Sequence, residues 1–234
     1  MGKQKTILVT GASRGIGYDT VLELAKNQNN QIIALSRNKA KLAALQKVNP
    51  NDNIQTIPFD LGAFEETTLT KALNGISSID VLINNAGLLI NEPFEKLSIK
   101  NWRTIFEVNL FGVVQLIQTL LPQLTANGKA HIVNIGSMGG VQGSSKFPGL
   151  SAYSASKAAI ANFTECLAEE LKDKNISVNC LALGAIQTEM LAEAFPGYEA
   201  PVTSKSMAVY LAEFALNGHQ FHNGKIIPVA VSTP

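Results

Sequence analysis

Short apolar, β-branched runs alternate along the chain with stretches whose apolar positions recur at helical spacing. Residues 6–10 are β-branched and apolar throughout, the pattern of a strand buried in a sheet covered on both faces. Residues 15–26 then place Ile16, Thr20, Val21, Leu24 and Ala25 on one face, as an amphipathic helix does. The same alternation predicts strands over 31–35, 54–57, 80–84, 130–135, 176–181 and 225–229. Helices are predicted over 39–47, 65–73, about 100–124, 151–172 and 204–216. Strands alternating with helices imply right-handed βαβ units. The expected fold is α/β: a doubly wound parallel sheet of about seven strands flanked by helices. No repeat, linker or low-complexity tract divides the chain, so residues 1–234 read as a single domain.

Composition supports a packed core. Apolar residues make up 46% and charged residues 16% of 234, which excludes a disordered chain. A net charge of +1 gives no electrostatic case for nucleic acid or for an anionic membrane surface. Cys166 and Cys180 lie too far apart for a CxxC motif and read as small buried residues. His131, His219 and His222 lack metal-ligand spacing, and no metal is expected. The N-terminal apolar run, 7–9, is too short for a signal peptide. The apolar stretch 110–124 is interrupted by Gln115, Gln118 and Gln123 and does not read as a membrane span. A cytoplasmic location is the resulting expectation.

Candidate chemistry sits at two places. In Thr10-Gly11-Ala12-Ser13-Arg14-Gly15-Ile16-Gly17, three glycines follow a strand and open a helix. That context suits a dinucleotide: glycines permit a tight turn and close approach of a pyrophosphate. The helix N-terminus adds N–H groups and a positive dipole end. Thr10, Ser13 and Arg14 add donors. The second strand ends in Ser36-Arg37, without the acidic residue that would accept from a ribose 2′-hydroxyl. Ser36 and Arg37, with Arg14, suit a 2′-phosphate instead, so NADP is expected over NAD. Asp60, followed by Leu61, either accepts from an adenine amino group or caps a turn. Asn84-Asn85-Ala86-Gly87 ends the fourth strand with small residues against which a cofactor could lie, and its asparagines could tie strands together.

Tyr153 and Lys157 are i and i+4 on a predicted helix and share a face. A free phenol, with a pKa of about 10, is a poor base at neutral pH. A nearby ammonium lowers it, as proton transfer requires. Ser137 ends the fifth strand at the carboxyl edge, where open α/β sheets bind ligands, and its hydroxyl could bond an oxyanion. Asn109 sits mid-helix among apolar residues and asks for a partner, a structural amide being one option.

Together these residues resemble the short-chain dehydrogenase/reductase family over almost the whole chain. Thr10 to Gly17 is similar to its TGxxxGxG turn, Asn84 to Gly87 to its NNAG, and Asn109, Ser137, Tyr153 and Lys157 to its catalytic set. Gly184, Ile186 and Thr188 match a further cofactor motif. The resemblance implies a Rossmann-type fold and hydride transfer between a nicotinamide and a carbonyl or secondary alcohol. Tyr153 would act as acid or base, Lys157 would hold the nicotinamide ribose, Ser137 would orient the carbonyl and Asn109 would hold a relay water. It also implies a homodimer or homotetramer built through the two long helices.

Two departures from the family pattern stand out. Leu183 precedes Gly184 where a proline is usual, which leaves that turn less constrained. The loop 139–149 is longer than usual and is expected to border the substrate. Residues 189–203 supply a short lid. The rival readings are a catalytically silent NAD(P)-binding sensor or scaffold, which the retained Ser137, Tyr153 and Lys157 argue against, and a sugar-nucleotide epimerase, for which the C-terminal region is too compact.

Overall fold

The computed structural model describes residues 4–231; the outermost ends of the expected 1–234 domain lie outside them. The chain runs β1 (Lys5–Thr10), α1 (Gly15–Ala25), β2 (Asn30–Ser36), α2 (Lys39–Val48), β3 (Ile54–Pro58), α3 (Glu66–Ala72) and β4 (Val81–Asn84). Then follow α4 (Ile99–Phe106), α5 (Gly112–Thr125), β5 (Ala130–Ser137), α6 (Ser151–Glu170) and β6 (Ile176–Leu183). The chain closes with β7 (Ile186–Gln187), α7 (Glu189–Ala194), β8 (Val202–Thr203), α8 (Ser204–Asn217) and β9 (Ile226–Val229). Seven strands form one parallel sheet in the order β3-β2-β1-β4-β5-β6-β9, and β7 pairs with β8 apart from it. The strand order reverses between β1 and β4, and ligands of open α/β sheets bind at such a point.

Alternation along the strands builds two cores. Ile7 and Val9 pack with Val21 and Leu24 of α1 and Leu211 of α8 on one face. Leu8, Leu82 and Ile132 pack with Leu116 and Leu120 of α5 and Ile160 of α6 on the other. Each such side chain contributes roughly 1.5–3 kcal/mol on burial. The run Ile99–Thr125 is long and apolar enough to cross a membrane by length and composition. Its Val113, Leu116, Leu120 and Leu124 lie in the second core, although only 39% of its most apolar window is buried.

Two sequence expectations need correction. Cys180 is buried but Cys166 is exposed: on α6 the stripe Ile160, Thr164, Leu167 faces inward, and Cys166 falls off it. The long helix is not uniformly α-helical, because Glu107–Phe111 is a π-helical stretch between α4 and α5.

His131, on β5, is buried beside the C-terminal end of α8. Its Nδ1 lies 2.9 Å from the Ala215 carbonyl and its Nε2 3.0 Å from Asn179 Nδ2. That pairing requires Nδ1–H to donate and Nε2 to accept, a neutral ring. Burial pushes its pKa down to about 4, the Ala215 carbonyl opposing and His219, Lys5 and His222 adding to the shift. The unfolded chain therefore binds the proton first. The stability tied to the neutral ring is intact above the ordinary histidine pKa and is lost as pH falls from about 6.5 to about 4. This group alone is expected to cost about 3 kcal/mol over that window. Urea unfolding at several pH values measures it; His131→Gln is expected to flatten the acid side of the profile.

Candidate active site

The carboxyl ends of β1, β4 and β5 open onto one cleft of about 580 Å³. At one end the turn after β1 is drawn tight. Gly11 and Gly15 adopt φ of 69° and 56°, which L side chains rarely tolerate. A Cβ on Gly11 would lie 2.9 Å from Ala86 Cα. Asn85 Nδ2 donates to the Thr10 carbonyl at 3.0 Å, and Ala86 N donates to Thr10 Oγ1 at 3.0 Å. Thr10 Oγ1 thus ties β1 to β4, while the residue also lines the cleft. Asn84 Nδ2 donates to Asn134 Oδ1 at 2.8 Å, joining β4 to β5 as the asparagine pair suggested.

Helix α1 opens directly on this turn, and its N-cap residue Arg14 supplies no side-chain acceptor. A backbone stripped of Cβ atoms, followed by an uncapped helix N-terminus, fits a dinucleotide pyrophosphate. Ser36 Oγ donates to Ser13 Oγ at 2.7 Å, tying the end of β2 to the glycine turn beside Arg37. Asp60 accepts from Gly62 N at 2.9 Å, so the turn-capping role is the one its side chain performs. Every residue expected to touch the cofactor lines the cleft except Gly17, which lies behind the turn.

Arg14 pairs with Glu193 of helix α7, its Nη1 on Oε1 and its Nη2 at 3.1 Å from Oε2. The bond to Glu193 raises the guanidinium pKa and lowers that of the carboxyl. Neither Glu193 nor the neighbouring Glu189 carries a sequence signal, because the partners are far apart in the chain and α7 has no apolar period. Thr188 caps α7 by accepting from Leu191 N at 3.2 Å, and it also lines the cleft beside Gly184 and Ile186.

The other end gathers Ser137, Tyr153 and Lys157. Lys157 Nζ donates to the Ile135 carbonyl at 2.7 Å and lies 5.8 Å from the Tyr153 ring centre. Burial pushes the ammonium pKa down to about 8. Burial also raises the Tyr153 phenol, with the Ser137 hydroxyl pulling the other way. That reverses the direction expected from the Tyr-Lys spacing alone: desolvation outweighs the cation when the pair is inside the protein.

Asn109 stands apart from the cleft lining. It lies in the π-helical stretch and is buried. Its Oδ1 accepts from Leu88 N at 2.7 Å, while Nδ2 donates to the Leu88 carbonyl at 3.0 Å and to Ser156 Oγ at 2.9 Å. Its amide thus clamps the segment after β4 to α6 at Ser156, the residue before Lys157. Leu183 does not loosen its turn. It stays in register with Ser137 and Val229, and Gly184 N donates to the Val229 carbonyl at 2.9 Å. Strand pairing holds there what a proline ring would otherwise hold. The loop 139–149 reaches the cleft through Gly139 and Phe147. Lys146 braces it by donating to the Val141 carbonyl at 2.7 Å and the Ser144 carbonyl at 3.1 Å.

Known proteins resemble this chain in sequence and in fold. A family profile described as short chain dehydrogenase matches residues 5–199. Retinol dehydrogenase 8 of Bos taurus is 31% identical over 94% of this chain and 72% of its own length. The 3-oxoacyl-[acyl-carrier-protein] reductase FabG of Aquifex aeolicus is 32% identical over 80% and 76%. The crystal structure of a 3-ketoacyl-(acyl-carrier-protein) reductase from Brucella melitensis complexed with NADH has the same fold, with a TM-score of 0.86, 24% identity and 97% of each chain covered. With the glycine turn, the asparagine ties and the Ser-Tyr-Lys end in one cleft, and with this profile match, the chain belongs to the short-chain dehydrogenase/reductase family and is an NAD(P)-dependent enzyme of it.

Proposed function

We propose that the chain is an NADP(H)-dependent oxidoreductase that interconverts a carbonyl and a secondary alcohol, with Tyr153 as the acid or base. The observation that carries this is the convergence of Ser137, Tyr153 and Lys157 in the cleft that also holds the glycine turn. The nicotinamide, when bound, supplies or accepts the hydride. The chain's own residues do the rest. Ser137 Oγ donates a hydrogen bond to the substrate carbonyl and places it beside Tyr153. In reduction the Tyr153 hydroxyl gives its proton to the forming alkoxide; in oxidation the phenolate takes it back. Lys157, charged at neutral pH even with a pKa of about 8, stabilises that phenolate and would hold the nicotinamide ribose when the cofactor is bound. Asn109 positions the Leu88 segment, and a water beside it would relay protons to Lys157. The retained set lends no weight to a catalytically silent sensor.

Selection of NADP rests on Ser36 and Arg37 at the end of β2, where no carboxylate faces the ribose, and on Arg14. Solved structures of this fold hold NADH in one case, the Brucella enzyme, and NADPH in another, an L-sorbose reductase of Gluconobacter frateurii, so the fold alone carries no preference. Glu193 competes with a 2′-phosphate for Arg14. Arg37→Ala is therefore expected to weaken NADPH binding at least tenfold, as a charge-assisted phosphate contact does, and to leave NADH unchanged. Glu193→Gln frees Arg14 and is expected to tighten NADPH about threefold, the scale of an exposed ion pair. Fluorescence titration with both cofactors checks the pair. Equal affinity for NADH and NADPH in the parent protein would remove the NADP assignment. The apolar outer face of Ile99–Thr125 and the face of α6 beside it suit a homodimer or homotetramer, and the cytoplasm is the proposed location.

A further inference from the structure

We propose that the substrate is an uncharged ketone or aldehyde whose carbonyl is flanked by hydrocarbon, aromatic or branched, and not a carboxylated, phosphorylated or polyhydroxylated carbonyl. The inference rests on the reading of Ser137 and Tyr153 as the groups that face the carbonyl. Beyond them the cleft is walled by Leu89 after β4, Met138 directly after β5, Phe147 of the long loop, and Met190, Leu191 and Phe195 of the lid. All six side chains are apolar. Phe147 and Tyr198 line the same end and stay 44% and 48% exposed. Large rings left in water at the rim of a reactive cleft are surface that an apolar ligand would cover.

The charges around the cleft point the same way. Arg14 is paired with Glu193, and Arg37 lies with Ser36 at the adenosine end. Lys157 is buried and donates to the Ile135 carbonyl. Lys146, the cation of the long loop, donates to loop oxygens and does not line the cleft. The carboxylate that α7 brings to the lining, Glu189, sits at the glycine turn, its Oε2 3.5 Å from where a Cβ on Gly15 would stand. A carboxylate or phosphate on the substrate would give up its water among apolar side chains with no free cation to replace it. A polyol would bury hydroxyls against methionine, leucine and phenylalanine without partners.

A matched set of ketones tests this, with NADPH and NADH both supplied. Across 2-butanone to 2-hexanone, kcat/KM is expected to rise about fourfold per methylene, the transfer of one CH₂ from water into an apolar wall. Acetophenone is expected to exceed 4-carboxyacetophenone at least a hundredfold. A flat alkanone series, or a carboxylated ketone within threefold of its parent, overturns the proposal. Saturation-transfer NMR on the protein–NADP⁺ complex reads binding without chemistry. If no ketone turns over but acetophenone binds and its carboxylate does not, the apolar subsite stands and the catalytic reading falls. If the carboxylate binds better, the subsite proposal falls whatever the rates.

Discussion

Tyr153→Phe is expected to lower kcat roughly 10³-fold in both directions, within the range a positioned acid or base contributes. The dissociation constant of the nicotinamide cofactor is expected to stay within about twofold. Phenylalanine keeps the ring in place beside Lys157 Nζ, 5.8 Å from its centre, and removes only the hydroxyl. The neighbouring Ser137 hydroxyl is a poor stand-in. Ser137 Oγ already accepts from Gly139 N at 3.2 Å, and a serine hydroxyl is too weak an acid to protonate an alkoxide unaided. Burial holds the phenol above its ordinary pKa, which favours the protonated form that an acid in reduction would need. Stopped-flow measurement of NADPH oxidation with an apolar ketone, alongside cofactor titration, checks the split. Retained turnover above a tenth of the parent's would assign the proton to another group.

How much of this was legible beforehand depended on whether a signal was local. The seven sheet strands were readable because a strand covered on both faces is apolar at every position, as Ile7, Leu8 and Val9 are. The glycine turn and the Tyr-Lys pair were readable because their chemistry fixes short spacings. The π-helical stretch at Glu107–Phe111 was not, since one widened turn barely disturbs the apolar period around Asn109. Cys166 was misread from its apolar neighbourhood, although helical phase relative to Thr164 and Leu167 would have turned it outward. The strands β7 and β8, two residues each, are too short for a pattern. The Arg14–Glu193 pair joins residues 179 positions apart, and only the folded chain brings them together. The phenol's raised pKa was missed for a related reason: the spacing reveals the cation, but desolvation belongs to the tertiary structure.

Gly17→Ala is expected to raise the dissociation constant for either nicotinamide cofactor at least a hundredfold, although Gly17 does not line the cleft. A Cβ there would sit 2.5 Å from the Gly11 carbonyl oxygen and 3.0 Å from its carbon, and against Asn85 Nδ2. Two of those contacts are backbone, so the turn itself must move. Helix α1 cannot retreat, because Val21 and Leu24 are 0% and 2% exposed in the core shared with α8. The strain therefore falls on Gly11, and on the Asn85 amide that holds it through the Thr10 carbonyl at 3.0 Å. Alanine in a helix is favoured over glycine by about 1 kcal/mol, while overpacking costs typically 1–3 kcal/mol. The fold is thus expected to survive with a lowered Tm as the phosphate cradle opens. Thermal melting followed by circular dichroism and fluorescence titration with NADPH separate the two effects. A folded variant that binds NADPH like the parent would show that the dinucleotide does not depend on this turn, and the cofactor end of the site would have to be sought elsewhere along the cleft.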